Sequence, residues 1–241
     1  MPIPVNNMHF MKVYGWAGRL GHWLLPPRCV VCDAGAGPQG LCMACEAALP
    51  RSGPACPQCA LPLPAGSDAT VPCGQCLRRP PPLQAVRAAF VYAAPVDRLA
   101  RRFKFHGDLA AGRALAATMA RAAGDWPRPQ ALVPMPLHRS RLRARGYDQA
   151  LELARPLARA LALPCLAGLR RVRATEAQSG LDAARRRGNL HGAFAAAAPL
   201  PAHVALVDDV MTTGATVHAA ARALRRAGVA RVDAWVCARV P

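Results

Sequence analysis

Lysine, acidic residues, aromatics and long apolar runs are all scarce in this sequence, and each scarcity excludes something. Lys12 and Lys104 are the only lysines among 31 Lys+Arg, so arginine carries nearly all the positive charge. Asp+Glu number 13, which leaves a formal net charge of +18 and a pI near 11.0. A nucleotide-composition bias accounts for arginine over lysine, but not for the excess of positive over negative charge. That excess favours a polyanionic partner, because each neutralised phosphate releases counterions; the alternative is a generally basic surface that binds nothing in particular. Aromatics are 5% of the chain. With Tyr92, Phe103, Phe105, Tyr147 and Phe194 spread thinly over the C-terminal part, a nucleic acid would be held by its backbone and not read by base stacking. No segment approaches the roughly 18–20 uninterrupted apolar residues that span a bilayer. The N-terminus lacks the basic-then-apolar layout and small-residue cleavage site of a secretory signal. The expectation is a cytoplasmic protein without membrane insertion, whose residues 1–25 form an amphipathic helix.

What the chain does have is cysteine in a fixed arrangement. Eight of ten cysteines form four C-x-x-C pairs: Cys29/Cys32, Cys42/Cys45, Cys56/Cys59 and Cys73/Cys76. Two residues between thiolates let both sulfurs face one tetrahedral metal ion, with Zn–S near ~2.3 Å. Disulfides compete with this reading only in an oxidising compartment. The spacings C-x2-C-x9-C-x2-C and C-x2-C-x13-C-x2-C suggest two successive ribbons, each closing four thiolates on one structural Zn2+; interleaved pairing or a single occupied site also fits. Residues 26–82 are dense in Pro, Gly and Cys, and too few to fold on apolar burial alone, so metal would supply the folding energy. Cys165 and Cys237 stand alone and read as ordinary buried thiols. Pro80, Pro81 and Pro82 make a stiff extended linker that should end the ribbon segment and separate its core from the rest.

From 83 to 241 strands and helices alternate. Strands are expected at 85–93, 131–136, 203–207 and 231–240. Helices are expected up to Gly107, from Asp108 to Gly124, around 148–163 with a kink at Pro156, and at 217–228. The alternation implies an α/β fold with a parallel sheet covered on both faces, and such sheets bind ligands at the carboxyl ends of their strands.

The stretch "VALVDDVMTTGAT", Val204 to Thr216, lies at such an end. Asp208 and Asp209 can accept from vicinal hydroxyls or face hydrated Mg2+. Thr212, Thr213, Gly214, Ala215 and Thr216 can turn amides and hydroxyls toward a phosphate at the positive end of the next helix. A ligand satisfying both carries a diol or a metal at one end and a phosphate at the other. Arginine runs at 139–146, 170–173 and 185–187 are candidate contacts for a nucleic-acid backbone, Arg141, Arg143 and Arg145 first among them, or a solvated surface.

Val204–Thr216 resembles the 5-phosphoribosyl-1-pyrophosphate (PRPP) loop of type I phosphoribosyltransferases. Together with "FKFHGD" (103–108), "LVPMPLHRSRLRARGYDQA" (132–150), "QSGLDAARRRGNLHGAF" (178–194) and the leading cysteine pairs, it is similar to the ComF family. In that family a double zinc ribbon precedes a phosphoribosyltransferase-like domain, and members are associated with natural competence and uptake of single-stranded DNA. The resemblance implies that Asp208 and Asp209 bind ribose hydroxyls, that 212–216 wrap the 5-phosphate, and that Mg2+ accompanies PRPP. It places the pyrophosphate loop at Pro134–His138 and the mobile loop at Arg139–Tyr147. Asp148 stands where the family usually has Asn. The resemblance also implies a competence helicase or a recombination-mediator protein as a partner. Phosphoribosyl transfer passes through an oxocarbenium-like state that needs no strong general acid, so the motif is compatible with catalysis, while nothing names an acceptor. An active salvage phosphoribosyltransferase with structural ribbons, and a nucleic-acid adaptor with a dead transferase fold, are the alternatives.

Overall fold

The computed structural model describes residues 26–173, 192–197 and 199–241. The helix expected over 1–25, the arginine run 185–187 and His191 lie outside the described residues. In chain order the elements are α1 (Met43–Ala47), α2 (Gly74–Arg78), β1 (Val86–Val91), α3 (Val96–His106), α4 (Leu109–Ala122), β2 (Ala131–Pro134), α5 (Arg139–Arg145), α6 (Gln149–Ala160), β3 (Leu169–Arg171), β4 (Phe194–Ala196), β5 (His203–Met211), α7 (Ala215–Arg226) and β6 (Arg231–Arg239).

Four of the strands form a sheet in the order β1-β6-β5-β2 with every neighbouring pair parallel. Its layering follows from alternation along β5. Val204 and Leu206 are buried with Val133, Val232, Ala234 and the α7 residues Val217 and Leu224. Ala205 and Val207 are buried on the opposite face with Trp235 and with Leu99, Leu115 and Leu153 of α3, α4 and α6. Helices α3, α4 and α6 therefore cover one face, and α7 with the antiparallel strand pair β3–β4 covers the other. Beyond β2 the sheet gains one more parallel bridge, Leu132 to Cys165. Cys237 is buried as expected, but Cys165 lies half-buried on this edge.

Most caps follow the sequence. Gly107 closes α3 at φ 67°, and Asp108 Oδ1 accepts from the Ala111 amide at 2.9 Å to start α4. Two details differ. Helix α4 stops at Ala122 and runs into a 3-10 turn, Ala123–Asp125, so Gly124 is not its left-handed cap. The strand expected to end at Val207 continues to Met211 and carries both aspartates within it.

The linker does not separate two cores. Cys29, Leu41 and Leu49 of the first ribbon are buried in the same cluster as Phe90, Leu99, Phe103 and Leu115. Arg102 of α3 donates to the Val30 carbonyl at 2.6 Å, and Arg121 of α4 pairs with Glu46. The second ribbon is tied to the sheet by the Val86 amide on the Pro57 carbonyl at 2.9 Å. Arg239 at the end of β6 donates from Nε to the Cys59 carbonyl at 2.8 Å. Both ribbons are small, and the apolar area they lack internally is completed by the sheet domain.

Candidate functional site

The ribbons resolve the pairing left open by the spacing. Cys29, Cys32, Cys42 and Cys45 form one set, and Cys56, Cys59, Cys73 and Cys76 another, with all sulfurs of a set within 4.8 Å of one another. The Cys32–Cys42 and Cys59–Cys73 sulfurs are each 3.7 Å apart, close to the roughly 3.8 Å edge of a tetrahedron with ~2.3 Å Zn–S bonds. Backbone amides point at sulfur in both sets, Cys45 to Cys42 at 3.4 Å and Cys73 to Cys56 at 3.2 Å. Burial opposes ionisation of Cys29 and Cys56, but amide hydrogen bonds outweigh it and draw them down to about 6 and about 7. Cys45 is pushed up to about 12 by its neighbouring cysteines, and Cys59 to about 11 by burial and by Cys56. Four crowded thiols of which only some ionise unaided are a donor set short of a divalent cation. Structural Zn2+ fits both sets.

The second site is at the carboxyl end of β5. Asp208 and Asp209 line a cavity of about 380 Å3 with Thr212 and Thr216 from the loop, Met135, Pro136 and Leu137 after β2, Arg141 and Arg145 of α5, and Arg171 of β3. Gly214 takes φ 74° at the N-terminus of α7; a side chain there would be strained by that conformation and would meet Met211 Cε at 2.5 Å. The tight turn lets Thr212 and Thr216 face the acidic pair's cavity, while Thr213 and Ala215 line a second cavity on the loop's other side, with Thr212 common to both.

The two aspartates are not equivalent. The strand period that sends Val204 and Leu206 to one face and Ala205 and Val207 to the other also sends Asp208 and Asp209 apart. Asp209 falls on the α3 face, where Lys104 Nζ donates to its Oδ2 at 2.8 Å; its Oδ1 accepts from the Val210 amide at 2.8 Å. Burial would lower Lys104, but Asp209 and then Asp208 outweigh it and hold the ammonium above its ordinary value. Asp208 accepts from the Asp209 amide through Oδ1 at 2.9 Å. Burial and the neighbouring carboxylate push Asp208 up to about 8, against the pull of Lys104. An oxygen-rich pair held partly protonated is a fitting place for Mg2+ or for donated hydroxyls.

The cationic wall comes from residues expected as nucleic-acid contacts and, by resemblance, as the mobile loop. Residues 139–145 form a helix closed by Gly146 at φ 83°. Arg141 and Arg145 face the cavity; Arg143 does not line it. The Arg145 guanidinium sits 5.8 Å from the Phe105 ring centroid, and its Nη1 is buried without a hydrogen-bond partner among the described residues. Asp148, the residue that departs from the family pattern, caps α6 by accepting from the Leu151 amide at 3.1 Å and reaches the Leu137 amide at 3.4 Å. Its carboxylate thus braces the loop after β2. Sequence reasoning missed Lys104 and Phe105 as site residues. The available signal for Lys104 was its rarity in a chain that otherwise uses arginine.

A parallel sheet covered on both faces, whose strand β5 carries the acidic pair into a T-x-G-x-T helix start behind two four-cysteine ribbons, defines a zinc-ribbon protein of phosphoribosyltransferase type. Residues 20–77 match the double zinc ribbon domain and residues 148–241 the phosphoribosyl transferase domain. The DNA utilization protein YhgH of Salmonella typhi is 36% identical over 208 residues, covering 83% of this chain and 90% of that protein. YhgH of Escherichia coli K12 is 34% identical over 228 residues, covering 91% and 92%. Competence protein F of Haemophilus influenzae is 35% identical over 228 residues, covering 88% and 96%. The chain belongs to the ComF family. Among the described residues no helix is long and apolar enough to cross a membrane.

Proposed function

We propose that this protein binds PRPP with Mg2+ in the cavity at the end of β5 and single-stranded DNA on its basic surface, serving DNA uptake from the cytoplasm. The observation that carries the PRPP half is the convergence, in one cavity of about 380 Å3, of an acidic pair, two loop threonines and four arginines, Arg101, Arg141, Arg145 and Arg171. That lining presents acceptors for a diol at one side and cations for a pyrophosphate at the other, in a volume ordinary for small-ligand sites. Thr212 and Thr216, with the amides opening α7, would hold the 5-phosphate. Asp208 would hold the diol or a hydrated Mg2+, while Lys104 keeps Asp209 in place. Arg145, with its buried unpartnered Nη1, and Arg141 would take the pyrophosphate. Bound Mg2+ would neutralise the pyrophosphate and help it leave if transfer occurs. The DNA half is supported by the net charge of +18 and by the relatives named for DNA utilization and competence. A competence helicase or a recombination mediator would be the protein partner.

The test is calorimetric titration of one zinc-loaded preparation with PRPP/Mg2+ and with oligo-dT. Arg145→Gln should weaken PRPP and inorganic pyrophosphate together, whereas Asp208→Asn should weaken PRPP by on the order of tenfold to a hundredfold and pyrophosphate far less, as loss of a charge-assisted hydrogen bond predicts. Equal losses for both ligands in Asp208→Asn would refute the diol assignment.

A further inference from the structure

The second cavity is the larger, about 660 Å3, and lies between the second ribbon and α7, on the far side of the loop from the acidic pair. Arg79, Arg222 and Arg239 line it together with the chain's last residue, Pro241, and no aspartate or glutamate among the described residues does. Arg79 and Arg222 are exposed; Arg239 is 6% exposed. Among the described residues the Arg239 guanidinium donates only to carbonyls, those of Cys59, Met211 and Val240, and pairs with no carboxylate. A zinc-loaded second ribbon would bring four thiolates and one divalent cation, net two negative, into the neighbourhood. The three guanidiniums, with Arg78 of the adjoining dent, exceed that even with a carboxylate at Pro241 counted. His218 also lines the cavity, its Nε2 buried without a hydrogen-bond partner among the described residues. Burial, then Arg222 and Arg239, pull its ring down to about 4, so it is a neutral hydrogen-bonding group at ordinary pH.

Shape decides between a small anion and a polymer. The cavity continues past Gln75 and Arg79, which it shares with an outer dent that adds Arg78. The basic lining therefore extends beyond one phosphate's reach, from Arg239 and Arg222 past Arg79 to Arg78. Its apolar walls, Leu61, Met211 and Pro80–Pro82, include no aromatic ring on which a base could stack. Such a surface fits a repeating phosphate backbone without base readout.

We propose that the groove between the second zinc ribbon and α7 holds the phosphodiester backbone of single-stranded DNA, with Arg79 and Arg222 as its accessible phosphate contacts. This deepens the DNA half of the proposed function and rests on it. It relocates the strand from α5, whose Arg141 and Arg145 face the PRPP cavity, to the opposite side of the phosphate loop.

The experiment is fluorescence anisotropy of labelled oligo-dT against the zinc-loaded full chain over a salt series, for wild type, Arg79→Gln/Arg222→Gln and Arg141→Gln/Arg145→Gln. Two single-strand phosphate contacts contribute about 1.4 to the slope of log affinity against log salt. The Arg79/Arg222 variant should lose about that much slope and on the order of tenfold affinity at low salt, with its PRPP titration unchanged. The Arg141/Arg145 variant should show the reverse. Both groove arginines are exposed, so an unchanged thermal midpoint should accompany the loss. If wild type binds oligo-dT and the Arg79/Arg222 variant keeps its slope, or if the Arg141/Arg145 variant carries the loss, the groove assignment fails while DNA binding stands. Wild type without salt-dependent binding overturns both.

Discussion

The Lys104–Asp209 pair joins helix α3 to strand β5 across 105 positions of sequence, and its removal has a calculable effect. The contact is 2.8 Å, with Asp209 nearly buried (8% side-chain exposure) and Lys104 33% exposed. Removing one partner of a fully buried pair costs roughly 3–5 kcal/mol, chiefly because a bare charge stays behind. Water reaches Lys104, so solvent partly replaces it, and Lys104→Gln should cost about 2 kcal/mol. In a chain of this size that lowers the thermal midpoint by about 4–8 °C. Asp209→Asn should cost a similar amount. The double variant leaves no bare charge and should cost less than the sum, with a coupling of about 1–2 kcal/mol in a double-mutant cycle. Chemical denaturation of the zinc-loaded protein reads all four species, with Arg113→Gln, an exposed cation on α4, as the reference. Strict additivity, or a Lys104→Gln cost no larger than that of Arg113→Gln, would refute the claim that this pair holds the acidic strand end.

Asp208 should report ligand binding through protons. Because its folded value of about 8 lies above the ordinary 3.8, the unliganded protein binds a proton there that the unfolded chain does not, and this contribution to stability falls as pH rises from roughly 4 to 8. Binding of PRPP/Mg2+ at pH 7 favours the carboxylate and should release about one proton, seen as an enthalpy that varies with the buffer's ionisation heat; a buffer-independent enthalpy would remove Asp208 from the site. Zinc removal should destabilise the sheet as well as the ribbons, because the first ribbon's Cys29, Leu41 and Leu49 share the core of Leu99 and Leu115. Chelation, or Cys29→Ser, should therefore lower the unfolding midpoint of the whole described body in one transition, and a sheet transition left at its original midpoint would contradict the shared core.

Much of this was legible in local sequence. Each C-x-x-C knuckle is a contiguous chemical unit, and the acidic pair, the threonine-glycine turn and the following helix occupy adjacent positions, so spacing alone brings their groups together. The long-range partners were not legible. Nothing near Asp209 in sequence announces Lys104, and only the packing of α3 against β5 joins them. The extension of β5 to Met211 was hidden because two aspartates end the apolar run that marks a strand; parallel pairing of Asp208 with Val236 and of Val210 with Ala238 keeps the backbone extended regardless. Helix α5 was hidden for a related reason. "RSRLRAR" has almost no apolar residue from which a helical period could be read, and none of its residues is buried.

The proline linker misled for a different reason. Stiffness along the chain says nothing about what packs across it, and three prolines here make one wall of the cavity beside the 212–216 loop. Arg239 shows why this matters for function. It joins the Cys59 carbonyl in a zinc knuckle to the carbonyl of Met211, the residue immediately before Thr212. Gly214 then turns the chain so that Thr212 and Thr216 face one cavity and Thr213 and Ala215 the other. The loop is therefore braced by a cysteine knuckle and lined on both sides by cavities of different design, one with two aspartates and one with none among the described residues. Among the described residues this buried guanidinium is held by carbonyls alone, so it ties the position of the knuckle to that of Met211. The second ribbon is thus part of the scaffold on which the 212–216 loop is built, and not an appendage carried beside it.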